Sequence, residues 1–298
     1  MQTTKLRSDL ILVLAAVIWG FAFVAQRLGM DYVGPFTYNG VRFLLGTLVL
    51  LPLLYIRIRK GNPLILQDRR SGVRKITAGA IFTGLLLFSG VAFQQLGLQK
   101  TTAGKAGFIT GLYVAFVPVV GLFFSQKSRW YIWAGVLLSI TGLYFLSITQ
   151  GFNLAPGDSL VIMCAFIFTF HVLFIGWLSP LMDSILLAVI QFSITTVINF
   201  AVAFTIETIS LLKILEAWAP ICYGGILSVG VAYTLQIIVQ KTTHPAYVSI
   251  ILGLEAVFAA IGGILILHES MTLRMLAGCL LMLAGTILVQ QQGKKHTQ

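Results

Sequence analysis

Glu255 is a carboxylate with about ten largely apolar residues on either side, a charge near the middle of a membrane-spanning helix. Such a charge costs about 3 kcal/mol on insertion scales, so it is expected to face a cavity or a partner. It could carry a proton, hold a ligand, or tie two helices together by a hydrogen bond. Ala259 and Gly262 follow on its face, leaving room for a ligand or a neighbouring helix. His171, within FIFTFHVLFIGW, can change charge near neutral pH, which suits a proton relay, a ligand donor or a neutral packing role. Arg42 and Lys105 are the basic candidates, each able to attract a carboxylate or to pair with Glu255. Long side chains near helix ends also reach the interface simply by snorkelling.

Neutral polar and aromatic side chains add candidate lining. Trp19, Phe23 and Gln26 share one helical face, as do Tyr233, Gln236 and Gln240 on another run. Gln94, Gln95 and Tyr113 belong with them. Such residues either line a cavity or pack against other helices. Trp130 and Trp133 have the character of interfacial anchors.

The elements that must position these groups follow from composition. With 58% hydrophobic and 10% charged residues and a mean hydropathy of +0.94, the chain is expected to be an all-α integral membrane protein. Apolar runs at 9–28, 36–56, 76–98, 103–125, 130–149, 158–178, 184–206, 217–240, 246–267 and 273–291 give about ten transmembrane helices. The first run is too long for a cleaved leader and is expected to be retained. A net charge of +11 does not imply nucleic acid, because Lys and Arg fall mainly in the gaps between apolar runs. Cys164, Cys222 and Cys279 sit in separate apolar runs as small hydrophobes. No motif calls for a metal or other cofactor. The enzyme class is disfavoured too, since HExxH, GxxxxGK[ST] and paired intramembrane carboxylates are missing from the sequence.

Positive charges orient the spans. With the N-terminus cytoplasmic, fourteen of the 20 Lys and Arg fall on the inner side, including the Arg57–Lys75 run, so both termini are expected inside. The chain also echoes itself. GVAF and QKTTAGKAGFITGLYVAFVPVVG, from Gly90, answer GVAY and QKTTHPAYVSIILGLEAVFAAIG, from Gly230. Asp9 corresponds to Asp158, Arg42-Phe43 to Gln191-Phe192, and GVLLSITG from Gly135 to GCLLMLAG from Gly278. Residues 1–150 and 151–298 are therefore expected to be two five-helix units. The odd number of spans inverts the second, and this alignment places Val114 opposite Glu255. Spans five and ten carry small-residue seams, Gly135, Ser139 and Gly142 against Gly278 and Gly285, suited to close packing.

Trp19-Gly20 with Phe23, Arg42-Phe43-Leu44, TTAGKAGFITGLY with Pro118 beyond it, and Leu254-Glu255 with Glu269 occur in that order within the repeat. On these residues the chain resembles the drug/metabolite transporter superfamily, specifically its ten-helix EamA-type members. It departs from their pattern at Ala256, where they often have Pro, and at Gln126-Lys127 and His268-Glu269, where they often have Gly-Glu. The resemblance implies a central cavity lined by spans one to four and six to nine. It implies a secondary transporter of a small-molecule substrate (amino acids, metabolites or amphipathic drugs) in a bacterial-type inner membrane, working by alternating access and exporting. Glu255 and His171 are the expected proton-coupling groups; a channel or a non-transporting scaffold is the alternative. The expected substrate-binding set is Trp19, Phe23, Gln26, Arg42, Gln94, Tyr113, His171, Tyr233, Gln236 and Glu255.

Overall fold

An apolar run in lipid must satisfy its backbone internally, and an unclosed chain does so as helix. The computed structural model describes residues 2–65, 72–126, 128–147, 156–268 and 272–295. Its helices are α1 (Gln2–Gly29), α2 (Pro35–Arg59), α3 (Val73–Leu98), α4 (Ala103–Thr110), α5 (Tyr113–Phe123), α6 (Trp130–Ser147), α7 (Pro156–Leu178), α8 (Ser184–Ile206), α9 (Leu211–Glu216), α10 (Trp218–Cys222), α11 (Thr234–Gln240), α12 (Pro245–Leu252), α13 (Glu255–Leu267) and α14 (Leu273–Lys295). A π-helical segment, Tyr223–Tyr233, joins α10 to α11. The described residues contain no β-strand, only an isolated bridge between Ile65 and Met182.

Taken as continuous spans, α4 with α5, α10 through α11, and α12 with α13 bring the number of helices long and apolar enough to cross a membrane to nine among the described residues. The fifth expected span, 130–149, is described only as far as residue 147, where helix α6 has 18 residues, about 27 Å of helix against a hydrocarbon core of about 30 Å. Residues 148 and 149, like Glu269 of the family pattern and the cationic Arg69, Arg70 and Lys127, lie outside the described residues.

Two spans are broken in the middle at matching places. Helix α4 passes into α5 through Gly111-Leu112, and α12 into α13 through Gly253-Leu254. In both, the backbone tightens into a 3₁₀ turn: Leu112 N bonds Ile109 O (3.1 Å) and Leu254 N bonds Ile251 O (3.2 Å). Helices α4 and α12 also start alike, capped by Thr102 Oγ1 on Lys105 N and by His244 Nδ1 on Ala246 N. The Gly-Leu breaks and the caps correct the register of the echo. Tyr113, the first residue of α5, matches Glu255, the first residue of α13. Val114, which the QKTT alignment sets opposite Glu255, falls one position late because the second turn is one residue longer.

Helices α2 and α8 clamp each other at both ends. The Glu207 carboxylate, just past α8, accepts from Phe36 N (2.9 Å), Thr37 N (2.8 Å) and Thr37 Oγ1 (2.7 Å), capping the start of α2. At the other end Asp183 caps α8 through Ile185 N (2.8 Å) and receives Arg57 from the end of α2 (2.8 Å). Glu207→Ala leaves two helix-terminal amides without their acceptor. It is expected to cost on the order of 1–2 kcal/mol, read as a lower thermal midpoint in detergent, with Glu207→Gln losing less.

Helices α6 and α14 pack along the small-residue seams. A β-carbon on Gly142 would lie 2.6 Å from Gly278 O, and one on Gly285 would lie 3.0 Å from Gly135 O. The pair is so close that only glycine fits, which is how small residues drive helix association in lipid.

Candidate functional site

The i, i+4, i+7 face of α1 turns Trp19, Phe23 and Gln26 into a cavity at the centre of the bundle. Its opposite edge carries Gly20, where a β-carbon would lie 2.8 Å from both Glu255 O and Ala259 N. Helix α1 can therefore press its backbone onto α13, which fixes Glu255 beside the α1 residues. Ala259 and Gly262 are taken up in this packing against α1 and α4, so the space beside them belongs to neighbouring helices and not to a ligand.

The ten side chains expected to bind substrate all line this one cavity. Its walls come from α1, α2, α3, α4, α5, α7, α12, α13 and the span through α11, while among the described residues α6 and α14 contribute none, and neither does α8, the seventh span, which was expected to line it. The cavity is narrow, with about 40 Å³ of space, room for roughly three water molecules. Arg42, His171, Gln236 and Glu255 are each at most 4% exposed, so bulk solvent scarcely reaches its charged and polar wall.

Arg42 is held by its surroundings without a carboxylate. Nε donates to Asn39 Oδ1 at 2.9 Å, Asn39 Nδ2 donates to Val91 O at 3.2 Å, and the guanidinium stands 5.5 and 5.1 Å from the Tyr38 and Phe43 ring centres. Among the described residues no ion pair involves it. Stacking and a single amide thus orient the planar fork while leaving its charge uncompensated by an acid.

Glu255 opens the half-helix α13 and faces Tyr113, which opens α5. Their side chains are close enough to interact, yet neither Tyr113 Oη nor Glu255 Oε1 completes a hydrogen bond of good geometry. Gln26 Oε1 and Gln236 Oε1 are also buried without a partner. Buried polar atoms are nearly always paired, so these side chains keep hydrogen-bonding capacity at the cavity wall, as several buried polar side chains elsewhere in the bundle also do. Trp19 is fixed by Nε1 donating to Ser228 O (3.2 Å) and lies 4.6 Å from the Tyr233 ring. Gln94 Nε2 donates to Thr110 Oγ1 at 3.3 Å.

Other candidates lie elsewhere. Lys105 pairs with Asp158 at 2.5 Å, away from Glu255. Gln95 donates to Gln26 O at 3.4 Å and Gln240 to Val172 O at 2.9 Å, so both tie helices together. Gln240 lies one turn beyond Gln236 at the end of α11, where its amide is taken up by α7 instead of the cavity. Trp130 is exposed, as an anchor would be. His171 bonds Gln191 (Nε2 to Oε1, 2.8 Å) and not Glu255. Gln191 was legible only as the counterpart of Arg42. Thr110 and Phe168, also in the lining, stand three residues before Tyr113 and His171, a helical spacing that could have found them. Ser228 carried no signal.

A family profile described as the EamA-like transporter family matches residues 6–148 and again 155–290. The chain belongs to this family. As an EamA-like transporter it is a multi-pass integral membrane protein whose helices match the apolar lengths above. It is 33% identical over 296 residues to an "Uncharacterized transporter" of Archaeoglobus fulgidus, covering 96% of this chain and 86% of that one. An "Uncharacterized inner membrane transporter YedA" of Escherichia coli (strain K12) is 28% identical over 153 residues, 49% of this chain and 45% of its own. A solved crystal structure aligns with a TM-score of 0.76 at 17% identity, over 98% of this chain and 99% of its own, a likeness of fold.

Proposed function

We propose that this EamA-like transporter is a secondary transporter of the inner membrane that exports a small organic solute by alternating access, coupled to protons through Glu255 with His171 as an accessory group. The observation that carries the reading is the narrow central cavity, in whose buried wall Arg42 stands without an acidic partner while Gln26 Oε1 and Gln236 Oε1 keep free acceptor capacity. An ammonium or a proton suits Glu255, a carboxylate suits Arg42, and the Trp19, Phe23 and Tyr233 rings suit an apolar portion. An amino acid or a related amphipathic metabolite combines these features. Space for roughly three waters is too little for such a solute, so binding requires the walls to move apart.

Alternating access needs two related units, and we read residues 1–150 and 151–298 as inverted five-helix repeats, ten spans in all with both termini cytoplasmic. Helix packing supports this. The contacts of α3 with α7 have their counterpart in those of α1 with the π-helical span, those of α3 with α8 in those of α2 with that span, those of α1 with α13 in those of α7 with α5, and those of α1 with α12 in those of α7 with α4. Energy would come from gradients, since no ATP-binding motif occurs in the sequence. Purified protein in liposomes, screened for flux of amino acids and related metabolites with and without a pH gradient, tests the reading. Saturable flux that responds to the gradient is expected; its absence across the panel rejects it.

A further inference from the structure

Each end of the bundle is tied by a carboxylate at the start of a span, and the two ties occupy equivalent places. On the face bearing the N-terminus, buried Asp9 of α1 accepts a hydrogen bond from Tyr247 Oη at 2.8 Å. Lys5, one turn earlier, stands 5.1 Å from the Tyr247 ring centre. At the other face, Asp158 of α7 is fully buried, accepts from Thr101 Oγ1 at 3.1 Å and pairs with Lys105 Nζ at 2.5 Å. Tyr247 is the third residue of α12 and Lys105 the third residue of α4. Asp9 and Asp158 are themselves counterparts in the echo. The same joint, first helix of a unit to broken helix, has thus been built twice with different chemistry.

We propose that Asp9–Tyr247 and Asp158–Lys105 are the two gate latches of the transport cycle, each of which must break for the cavity to open at its own face. Both are formed in this structure, at opposite ends of a cavity whose charged and polar wall is buried. The joints are well placed for the task. They link α1 to the half-helix preceding Glu255 and α7 to the half-helix preceding Tyr113, so a rocking motion of the broken spans strains one latch while relaxing the other. Both contacts join one unit to the other, as a gate between two moving units must. Tyr247 reaches back to the first unit, and Lys105 reaches forward to the second. The inference rests on the alternating-access reading above.

Sidedness of access tests it. In a background with Cys164, Cys222 and Cys279 replaced, Ala22→Cys places a thiol in the cavity wall. A membrane-impermeant sulfonated maleimide is then applied from one side of reconstituted vesicles, with orientation read from protease access to an N-terminal tag. Tyr247→Phe is expected to raise labelling from the N-terminal face about tenfold, the value of one hydrogen bond to a charged group, with no rise from the opposite face. Asp158→Asn should do the reverse, and the exchanged pair Lys105→Asp with Asp158→Lys should return labelling toward the parent level. If both variants label equally from the two faces, or if neither changes sidedness, these contacts are static ties and the proposal fails. Flux measured in the same vesicles separates the two readings: a parent without saturable flux rejects the transport reading, whereas the latches stand or fall on the labelling.

Discussion

Glu255→Gln is expected to abolish solute accumulation driven by a pH gradient while leaving exchange and downhill flux in place. The amide keeps the size and the hydrogen-bonding reach of the carboxyl but cannot take up and release a proton, so the substitution removes coupling and little else. For a carrier that moves one proton per solute, one pH unit is worth about 1.4 kcal/mol, or about tenfold accumulation. The variant's accumulation ratio should fall to about one. Its place at the head of α13, against Tyr113 and behind the close contact at Gly20, means that the residue can reach the cavity without rearrangement of its own helix. Accumulation at the parent level in Glu255→Gln would reject the coupling role and leave the carboxylate as a tie between α13 and α5.

Arg42→Gln carries the second large effect. If the guanidinium receives a substrate carboxylate, its loss removes a charge-assisted, two-point contact from a desolvated site, worth about 2–3 kcal/mol. The half-saturating concentration of a carboxylate solute should therefore rise roughly thirty- to 160-fold, while that of the corresponding neutral amide changes little. Arg42→Lys should recover part of the loss, since the charge returns but the planar group stacked near Tyr38 and Phe43 does not. Equal weakening of acid and amide would assign Arg42 to the packing of α2 against the π-helical segment instead.

The spans were legible because lipid demands long apolar runs; Pro35, Pro156 and Pro245 open α2, α7 and α12 within two residues of where those runs begin. The convergence of Trp19, Phe23, Gln26, Arg42 and Glu255 on one cavity was legible for a related reason: polar groups in a membrane helix have few places to go. Three features were not. The breaks at Gly111-Leu112 and Gly253-Leu254 keep right-handed helical angles throughout, so neither composition nor periodicity marks them. The π-helical winding of Tyr223–Tyr233 has the same apolar, glycine-containing character as its α-helical neighbours. The pairing of Glu255 with Tyr113 was hidden by a one-residue difference between two turns, which helix caps resolve and a letter-by-letter match does not. The residue type of His171 suits a relay, a ligand donor or packing alike, and its hydrogen bond to Gln191 is set by how α7 and α8 pack.

The α6–α14 seam has a consequence for biogenesis. Gly135 and Gly142 are matched by residues on α14, far along the chain, so α6 has nowhere to seat its small-residue face until α14 has been made. The same holds for α1, whose Gly20 contact waits for α13. Helices that enter the bilayer earlier must therefore stand apart in lipid until their partners arrive, and loss of α14 is felt at α6 in the middle of the chain.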